Sequence, residues 1–476
     1  MKKTFFLLAQ LLLGLSLQAQ TICSDDERLD DAYRLAVNTM DINVRRGILA
    51  AGADYGGEWT RDIAINAWNA VSLLRPAVAE RSLWSVTLGR DTVGHQYWDK
   101  ALWIIAAANH YALTGDRRFL CDAYRCGVNT LTELETMAFD PADGLFTGPS
   151  VFNDGISGYP PQVYDPEVVS SYVLDHPNAR RIKTLSTNCV YCGAYRALGF
   201  LAEELGEPQH RIREFASKGE ALKRNILRRF TLPSEPRLAY LIDHTGARDV
   251  SQEALGLSFA VLLGVVEGDL AAELIRQAVV SPHGIPSIWP DFANFSPARP
   301  GRHNNLVWPM PMGFFARAAI RTGNSSVFLH ELDALTGLAL DEEKGNYNFR
   351  EIYDPRTGKP DGGYQMLDPS TPDMHWRSCS AQVWSATAYL SMVHYGVLGI
   401  RTGRAALRFE PLLPPGTERV KVSGLHYGAS AFEVEVRGPG TRVKTVLLDG
   451  RPVAGNELPR SLFDGAYRRI RIELEP

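Results

Sequence analysis

Two carboxylates stand out by their settings. Asp154 lies in Gly148-Pro149-Ser150-Val151-Phe152-Asn153-Asp154-Gly155-Ile156-Ser157-Gly158-Tyr159-Pro160, where three Gly and two Pro hold it in an irregular loop between Phe152 and Tyr159. An acid that must keep its proton near neutral pH needs partial desolvation by such apolar neighbours. Glu351 lies between Phe349 and Tyr353, just before a turn opened by Asp354-Pro355. Hydrolysis of a glycosidic bond takes two carboxylates, one to protonate the leaving oxygen and one to activate water or attack directly. Asp154 and Glu351 are the best-framed pair, with Asp165 in QVYDPE as a competing acid. Each also has a plain structural reading: Asp154 as an Asp-Gly turn, Glu351 as a strand residue facing solvent.

The residues around them suit a sugar. Glu58-Trp59-Thr60-Arg61-Asp62 precedes an apolar helix. Trp59, Arg61 and Asp62 there read either as a clamp for sugar hydroxyls or as an Arg-Asp pair capping that helix. Trp289 in Ile288-Trp289-Pro290, and His303 and Trp308 in His303-Asn304-Asn305-Leu306-Val307-Trp308-Pro309, sit at Trp-Pro corners. Such corners serve as aromatic walls for sugar rings or as rigid loop corners. Tyr159, beside the acid loop, is a further candidate contact. There is no phosphate loop, dinucleotide fingerprint or Ser-centred elbow, so glycoside chemistry is favoured. The carboxylates can make the proton transfers themselves, so no cofactor and no metal are expected. Of the six cysteines, Cys121 and Cys126 lie five apart and Cys189 and Cys192 three apart. Buried thiols or one local disulfide fit better than zinc, which needs two pairs brought together as free thiolates.

The elements that must position these residues are mostly helices. Residues 62–74 (DIAINAWNAVSLL) and 101–113 (ALWIIAAANHYAL) have little polar face, and helices that apolar are buried on most sides. An inner ring covered by an outer ring is the expected arrangement. The turns Thr114-Gly115-Asp116, Leu205-Gly206-Glu207-Pro208 and Thr322-Gly323-Asn324 each end an apolar helix and start a more polar one. Repeated helix pairs closing into a ring are the economical reading, in a mainly α chain over 21–402. From 403 to 476, runs such as RVKVSGLHY and AFEVEVRG alternate apolar and polar residues, as antiparallel strands do. They predict a small C-terminal antiparallel, β-sandwich-like domain.

Lys2 and Lys3, the apolar run Phe5 to Leu17 and the small residues before Gln20 have the layout of a signal peptide over 1–20. That run is too short to span a bilayer core of ~30 Å. The expected protein is exported, periplasmic or secreted, with no membrane insertion after cleavage, and a monomer or small homo-oligomer. A net charge of -4 supplies no electrostatic reason to bind nucleic acid.

The stretches AGADYGGEWTRD, DGISGYP, SQEALGLSFAVLLG, GIPSIWP, HNNLVWP, FREIYDPRTG and QVWSATAYLSMVHYGVLGI give a family resemblance. The chain resembles the six-hairpin glycosidases, especially those with a mannosylglycerate-hydrolase-like or family 63-like domain, and its WTRD segment is similar to that of glucoamylases. The resemblance implies an (α/α)6 six-hairpin toroid, with Asp154 as general acid and Glu351 as general base. It implies Trp59, Arg61 and Asp62 around the terminal sugar, and Trp98 and Asp99 as a further inner-helix contact. It also implies an inverting, exo-acting hydrolase that releases a terminal sugar, with α-glucosides and α-mannosides favoured, from an oligo- or polysaccharide. Two other readings fit the same residues. One is a polysaccharide lyase or sugar epimerase using His303, His375, Tyr159 or Tyr364; the other is a non-catalytic glycan-binding protein.

Overall fold

The computed structural model describes residues 20–233, 235–344, 346–365, 375–403 and 405–476; the expected signal peptide, but for Gln20, lies outside them. Twelve α-helices run through the described residues. They are α1 (Glu27–Ile42), α2 (Thr60–Asn66, continuing through a π turn at Ala67–Val71 and Ser72–Leu74), α3 (Pro76–Ser85), α4 (Lys100–Thr114), α5 (Arg117–Ala138) and α6 (Leu185–Leu205). After these come α7 (Gln209–Phe230), α8 (Ala254–Leu262), α9 (Gly268–Arg276), α10 (Pro309–Arg321), α11 (Ser325–Leu340) and α12 (Val383–Met392, continuing through Val393–Val397).

The two kinds of helix in the sequence separate cleanly in space. Every residue of α2 and α12 is buried, as are Ala254–Val261 of α8. Helices with no polar face must pack on all sides, and these do: α2 contacts α4, α4 contacts α6, and so on through α8, α10 and α12, which returns to α2. The odd-numbered helices are amphipathic. Helix α7 buries only Phe215, Gly219, Leu222, Ile226 and Phe230, one stripe at three- and four-residue spacing. Each odd helix lies against one or more of the even ones. Helices α10 and α12 approach so closely that a Cβ on Gly313 would lie 2.6 Å from that of Ala388.

The three glycine turns lead from even to odd helices and are short. Gly115 closes α4 in the left-handed region (φ 71°). Asp116 then caps α5, its carboxylate accepting from the N–H groups of Arg118 and Phe119 at 2.8 and 3.2 Å. The connections leading into even helices are long, and four of them share a second, smaller core that includes Trp98, Ile156, Tyr159, Tyr240, Ile288 and Phe292. None of the six cysteines is paired, and Cys126, Cys189, Cys192 and Cys379 are buried, so of the two expected alternatives the structure has buried thiols rather than a local disulfide.

The C-terminal strands are β2 (Ile400–Thr402), β3 (Ala406–Phe409), β4 (Arg419–Tyr427), β5 (Ser430–Arg437), β6 (Arg442–Leu448), β7 (Arg451–Val453), β8 (Glu457–Pro459) and β9 (Arg468–Glu475), and β1 (Ile22–Ser24) joins them from the start of the described chain. They form a six-stranded sheet in the order β1-β4-β5-β9-β6-β7 and a three-stranded sheet β2-β3-β8. Three features differ from the sequence reading. Strands β5 and β9 pair in parallel, β1 pairs with β4, and β2 reaches back before residue 403 to pair with β3. Period-2 alternation identifies a strand but neither its partner nor its direction. The apolar faces of β4, β5 and β9 join the same core as the helices. At the end of α4, where carbonyls lack helical partners, the Leu113 carbonyl accepts from Gly428 N–H at 2.8 Å. Arg460 donates to the Ala112 carbonyl.

Candidate active site

The long connections meet around a cavity of about 240 Å³. The α1–α2 connection and the first turn of α2 supply Tyr55, Trp59, Arg61 and Asp62. The α5–α6 connection supplies Phe152, Asp154 and Tyr172, the α9–α10 connection Arg302, His303 and Trp308, and the α11–α12 connection Glu351 and Trp376. Trp384, from α12, completes the wall. Asp154 and Glu351, 197 residues apart in sequence, thus line one cavity.

The acid loop is shaped from behind. Tyr159 is fully buried, and its hydroxyl donates to the Asn153 carbonyl at 2.7 Å while accepting from Ser150 N–H at 2.9 Å. Ser150 Oγ donates to the buried Glu253 carboxylate at 2.7 Å, and Ser186 N–H donates to its other oxygen at 3.1 Å. Glycine is required at 155, where a Cβ would stand 2.5 Å from His303 Nδ1 and from the Gln365 amide. Val173 N–H donates to the Asp154 carbonyl at 2.9 Å, pinning the residue's backbone.

Each carboxylate has its own arginine. Arg61 Nη2 donates to Asp154 Oδ2 at 3.0 Å, and its Nη1 lies 3.8 Å from Asp99. His303 Nε2 stands 3.4 Å from Asp154 Oδ1, and the His303 ring stacks on Trp308 with centroids 5.1 Å apart. On the other carboxylate, Arg302 Nη2 donates to Glu351 Oε2 at 2.9 Å. Tyr55 hydroxyl and Cys379 N–H donate to that same oxygen at 3.4 and 3.3 Å. All these contacts fall on Oε2. The Arg302 guanidinium also lies 5.2 Å from the ring centroids of both Trp308 and Trp376.

Protonation differs among the acids. Burial acts to raise Asp154, but the opposing charges, led by the hydrogen-bonded Arg61 guanidinium, outweigh it and hold its carboxyl below the ordinary aspartate range. This reverses the sequence expectation that Phe152 and Tyr159 would keep Asp154 protonated. Tyr159 turns away from the cavity, and the Asp154 side chain is 31% exposed. Burial, only partly offset by Arg61, lifts Asp62 to about 7, and Glu351 and Asp154 push in the same direction. Asp99 rises to about 7 for the same principal reason. Burial lowers His303 to about 3, so the ring is neutral across the physiological range.

Of the residues singled out in the sequence, Trp59, Arg61, Asp62, Asp154, His303, Trp308 and Glu351 line the cavity. Trp98, Tyr159, Asp99 and Trp289 do not. Trp98 and Tyr159 belong to the small core beneath the connections, and Asp99 lies behind Arg61. Trp289 pairs with Gln252 in a two-residue ladder. Asp165 is also outside the cavity, its carboxylate accepting from Glu167 N–H at 3.0 Å in a local turn. Sequence reasoning missed Arg302, Tyr55, Tyr172, Trp376 and Trp384. Arg302 had a usable signal: it precedes His303 at a Pro-Gly corner. Trp384 had none, because it sits inside an apolar helix.

Residues 61–371 match the family described as the mannosylglycerate hydrolase MGH1-like glycoside hydrolase domain. No curated protein matches the chain. Among solved structures, the chain is similar to a sialidase (TM-score 0.66, 13% identity, covering 86% of this chain and 37% of that one). It is also similar to the GH78 family rhamnosidase of Bacillus sp. GL1 (TM-score 0.60, 14% identity, covering 96% and 44%). A third likeness is to the GH63 mannosylglycerate hydrolase from Thermus thermophilus in complex with glucose (TM-score 0.57, 16% identity, covering 76% and 99%). The chain spans less than half the length of the first two. At such identities the likenesses concern the fold.

Proposed function

The chain belongs to the mannosylglycerate-hydrolase MGH1-like glycoside hydrolases and is a glycosidase, and from that premise we propose that it is an exo-acting, inverting enzyme that releases one terminal sugar. The twelve helices are read as an (α/α)6 toroid, supported by the closed circuit of contacts among the even-numbered helices. The observation that carries the functional reading is the meeting of Asp154 and Glu351 in one small aromatic-walled cavity, each carboxylate held by a different arginine. At about 240 Å³ the cavity is below the ~300–1,000 Å³ usual for drug-sized ligands, a scale that favours one ring and end-on attack.

In this reading Glu351 is the general base. Its described hydrogen bonds converge on Oε2, which leaves Oε1 to orient and deprotonate a water. Asp154 is the general acid, and in the free enzyme Arg61 holds it ionised. A sugar whose hydroxyls draw the guanidinium away removes that stabilisation. The sugar also covers the 31% of the Asp154 side chain that is open, and this desolvation acts to raise the carboxyl toward protonation, as donation to the leaving oxygen requires. Water attacks from the face opposite Asp154, so the anomeric configuration inverts. α-Glucosides and α-mannosides are the favoured substrates. The name of the Thermus enzyme adds mannosylglycerate to those worth testing. We place the reaction outside the cytoplasm, after export.

The test is a panel of α- and β-linked glycosides incubated with the wild type, Asp154→Asn and Glu351→Gln. A monosaccharide should be released by the wild type and lost by ~10²–10⁴-fold in each variant. Unsaturated products absorbing in the ultraviolet from uronic-acid polymers, with no released monosaccharide, would replace the hydrolase with a lyase.

A further inference from the structure

The cavity wall and its mouth differ in a way that bears on the leaving group. Deep in the cavity, Phe152, Trp308 and Trp384 are 1, 1 and 4% exposed, packed against one another or against His303. Two other aromatics that line the same cavity stand open. Trp59 is 41% exposed and Tyr172 is 37% exposed. Neither belongs to the core: Trp59 has a tilted contact with His95 at 6.2 Å, and Tyr172 is tied at its backbone to Gly155 and Ser170 and through its hydroxyl to Gln96. Large apolar rings kept in water beside a catalytic pocket are what a flat partner covers.

The charges inside the cavity are largely paired. Among the described lining residues the positively charged groups are Arg61 and Arg302, with side chains 7% and 5% exposed. Both are committed, Arg61 to Asp154 and Asp99, and Arg302 to Glu351 and the Gly362 carbonyl. His303 is buried against Trp308 and holds no charge at neutral pH. Three carboxyl groups, Asp62, Asp154 and Glu351, face the same space. At the mouth, the exposed Arg180 is close enough to act on the Tyr172 hydroxyl, so recognition there rests on the open rings rather than on charge.

We propose that Trp59, which the resemblance put around the terminal sugar but which stands open at the mouth, forms the leaving-group site with Tyr172, and that this site takes an uncharged ring, a second neutral sugar, in preference to a small hydroxy acid. The assignment rests on the hydrolase reading above. Stacking on two amphipathic rings recognises the apolar face of a pyranose, which a small hydroxy acid lacks.

The experiment uses one terminal sugar with three leaving groups: fluoride, a neutral hexose and glycerate. Fluoride needs the catalytic pocket but not the leaving-group site. We expect the neutral disaccharide to exceed the glycerate glycoside in kcat/KM by tenfold or more. Trp59→Ala and Tyr172→Ala should each lower the disaccharide-to-fluoride ratio of kcat/KM by about tenfold, the scale of a lost aromatic stack. Trp59→Phe and Tyr172→Phe, which keep a ring, should restore most of that ratio. No hydrolysis of either anomer of the glucosyl and mannosyl fluorides, or of any glycoside in the panel, would sink the hydrolase reading and this inference with it. Hydrolysis of the fluoride with an unchanged ratio in both alanine variants, or with the glycerate glycoside as the better substrate, would overturn the leaving-group site alone.

Discussion

Replacing Arg61 by Met tests the electrostatic core of the site. The substitution keeps an unbranched apolar stem of similar length and removes a guanidinium that is 7% exposed. Its partners Asp154 and Asp99 stay where they are, 3.0 and 3.8 Å from the vacated positions. Breaking a buried pair by deleting one member costs about 3–5 kcal/mol. Unfolding entropy of about 2.1 cal/mol/K per residue, over 476 residues, converts each kcal/mol into roughly 1 °C, so Tm should fall by about 3–5 °C at pH 8. The loss must depend on pH. Asp62 and Asp99 are raised in the folded state, so their contribution is present at acid pH and disappears as pH rises through about 7. Asp154 is lowered, so its pairing contributes at neutral and alkaline pH and is lost only as pH falls through its folded pKa. Arg61→Met deletes the second contribution and enlarges the first. Each carboxyl left with a raised pKa recovers about 1.4 kcal/mol per unit of pH below it. Thermal melts of both proteins at pH 8 and 5.5 should therefore show the deficit shrinking to about 1–2 °C at the lower pH. An equal deficit at both pH values would mean that Arg61 contributes packing rather than charge.

Further outcomes follow from the same structure. Burial lifts Glu253 to about 7, so its contribution to stability fades as pH rises toward that value; Glu253→Gln should melt above the wild type at pH 8.5 and no higher at pH 5, and the opposite order would contradict the burial argument. Gly313→Ala places a Cβ 2.6 Å from that of Ala388 between two buried helices, and overpacking of this kind costs about 1–3 kcal/mol; an unchanged Tm would show that the helices part freely. Because Arg61 lowers Asp154, kcat/KM, which reports the free enzyme, should lose activity with rising pH earlier than kcat, which reports the complex. Coincident alkaline limbs would refute the hand-over of Arg61 to the sugar.

The helical plan was legible because its cause is local. The apolar faces of residues 62–74 and 101–113 demanded burial on all sides, and Gly115 with Asp116 announced a helix end and a cap. Asp154 and Glu351 were legible because Gly, Pro and aromatic neighbours frame them. What failed was direction. Phe152 and Tyr159 flank Asp154 in sequence, yet Phe152 enters the cavity wall while Tyr159 turns to the Asn153 carbonyl and Ser150 N–H. A Trp beside Pro marks a loop corner without saying which way its ring points, so Trp308 lines the cavity and Trp289 does not. Asp154 takes its charge state from Arg61, 93 residues away, a pairing no local pattern encodes. The parallel pairing of β5 with β9 was hidden for the same reason: alternation specifies faces, and partners are set by the fold.

The most direct test of the central claim is the anomeric form of the first product. Proton NMR during the opening minutes of hydrolysis of a defined α-glycoside should show the β-sugar appearing first and the α-anomer only as mutarotation proceeds, with neither formed by Glu351→Gln. Initial release of the α-anomer would make Glu351 a nucleophile rather than a base and contradict the inverting mechanism proposed for this site.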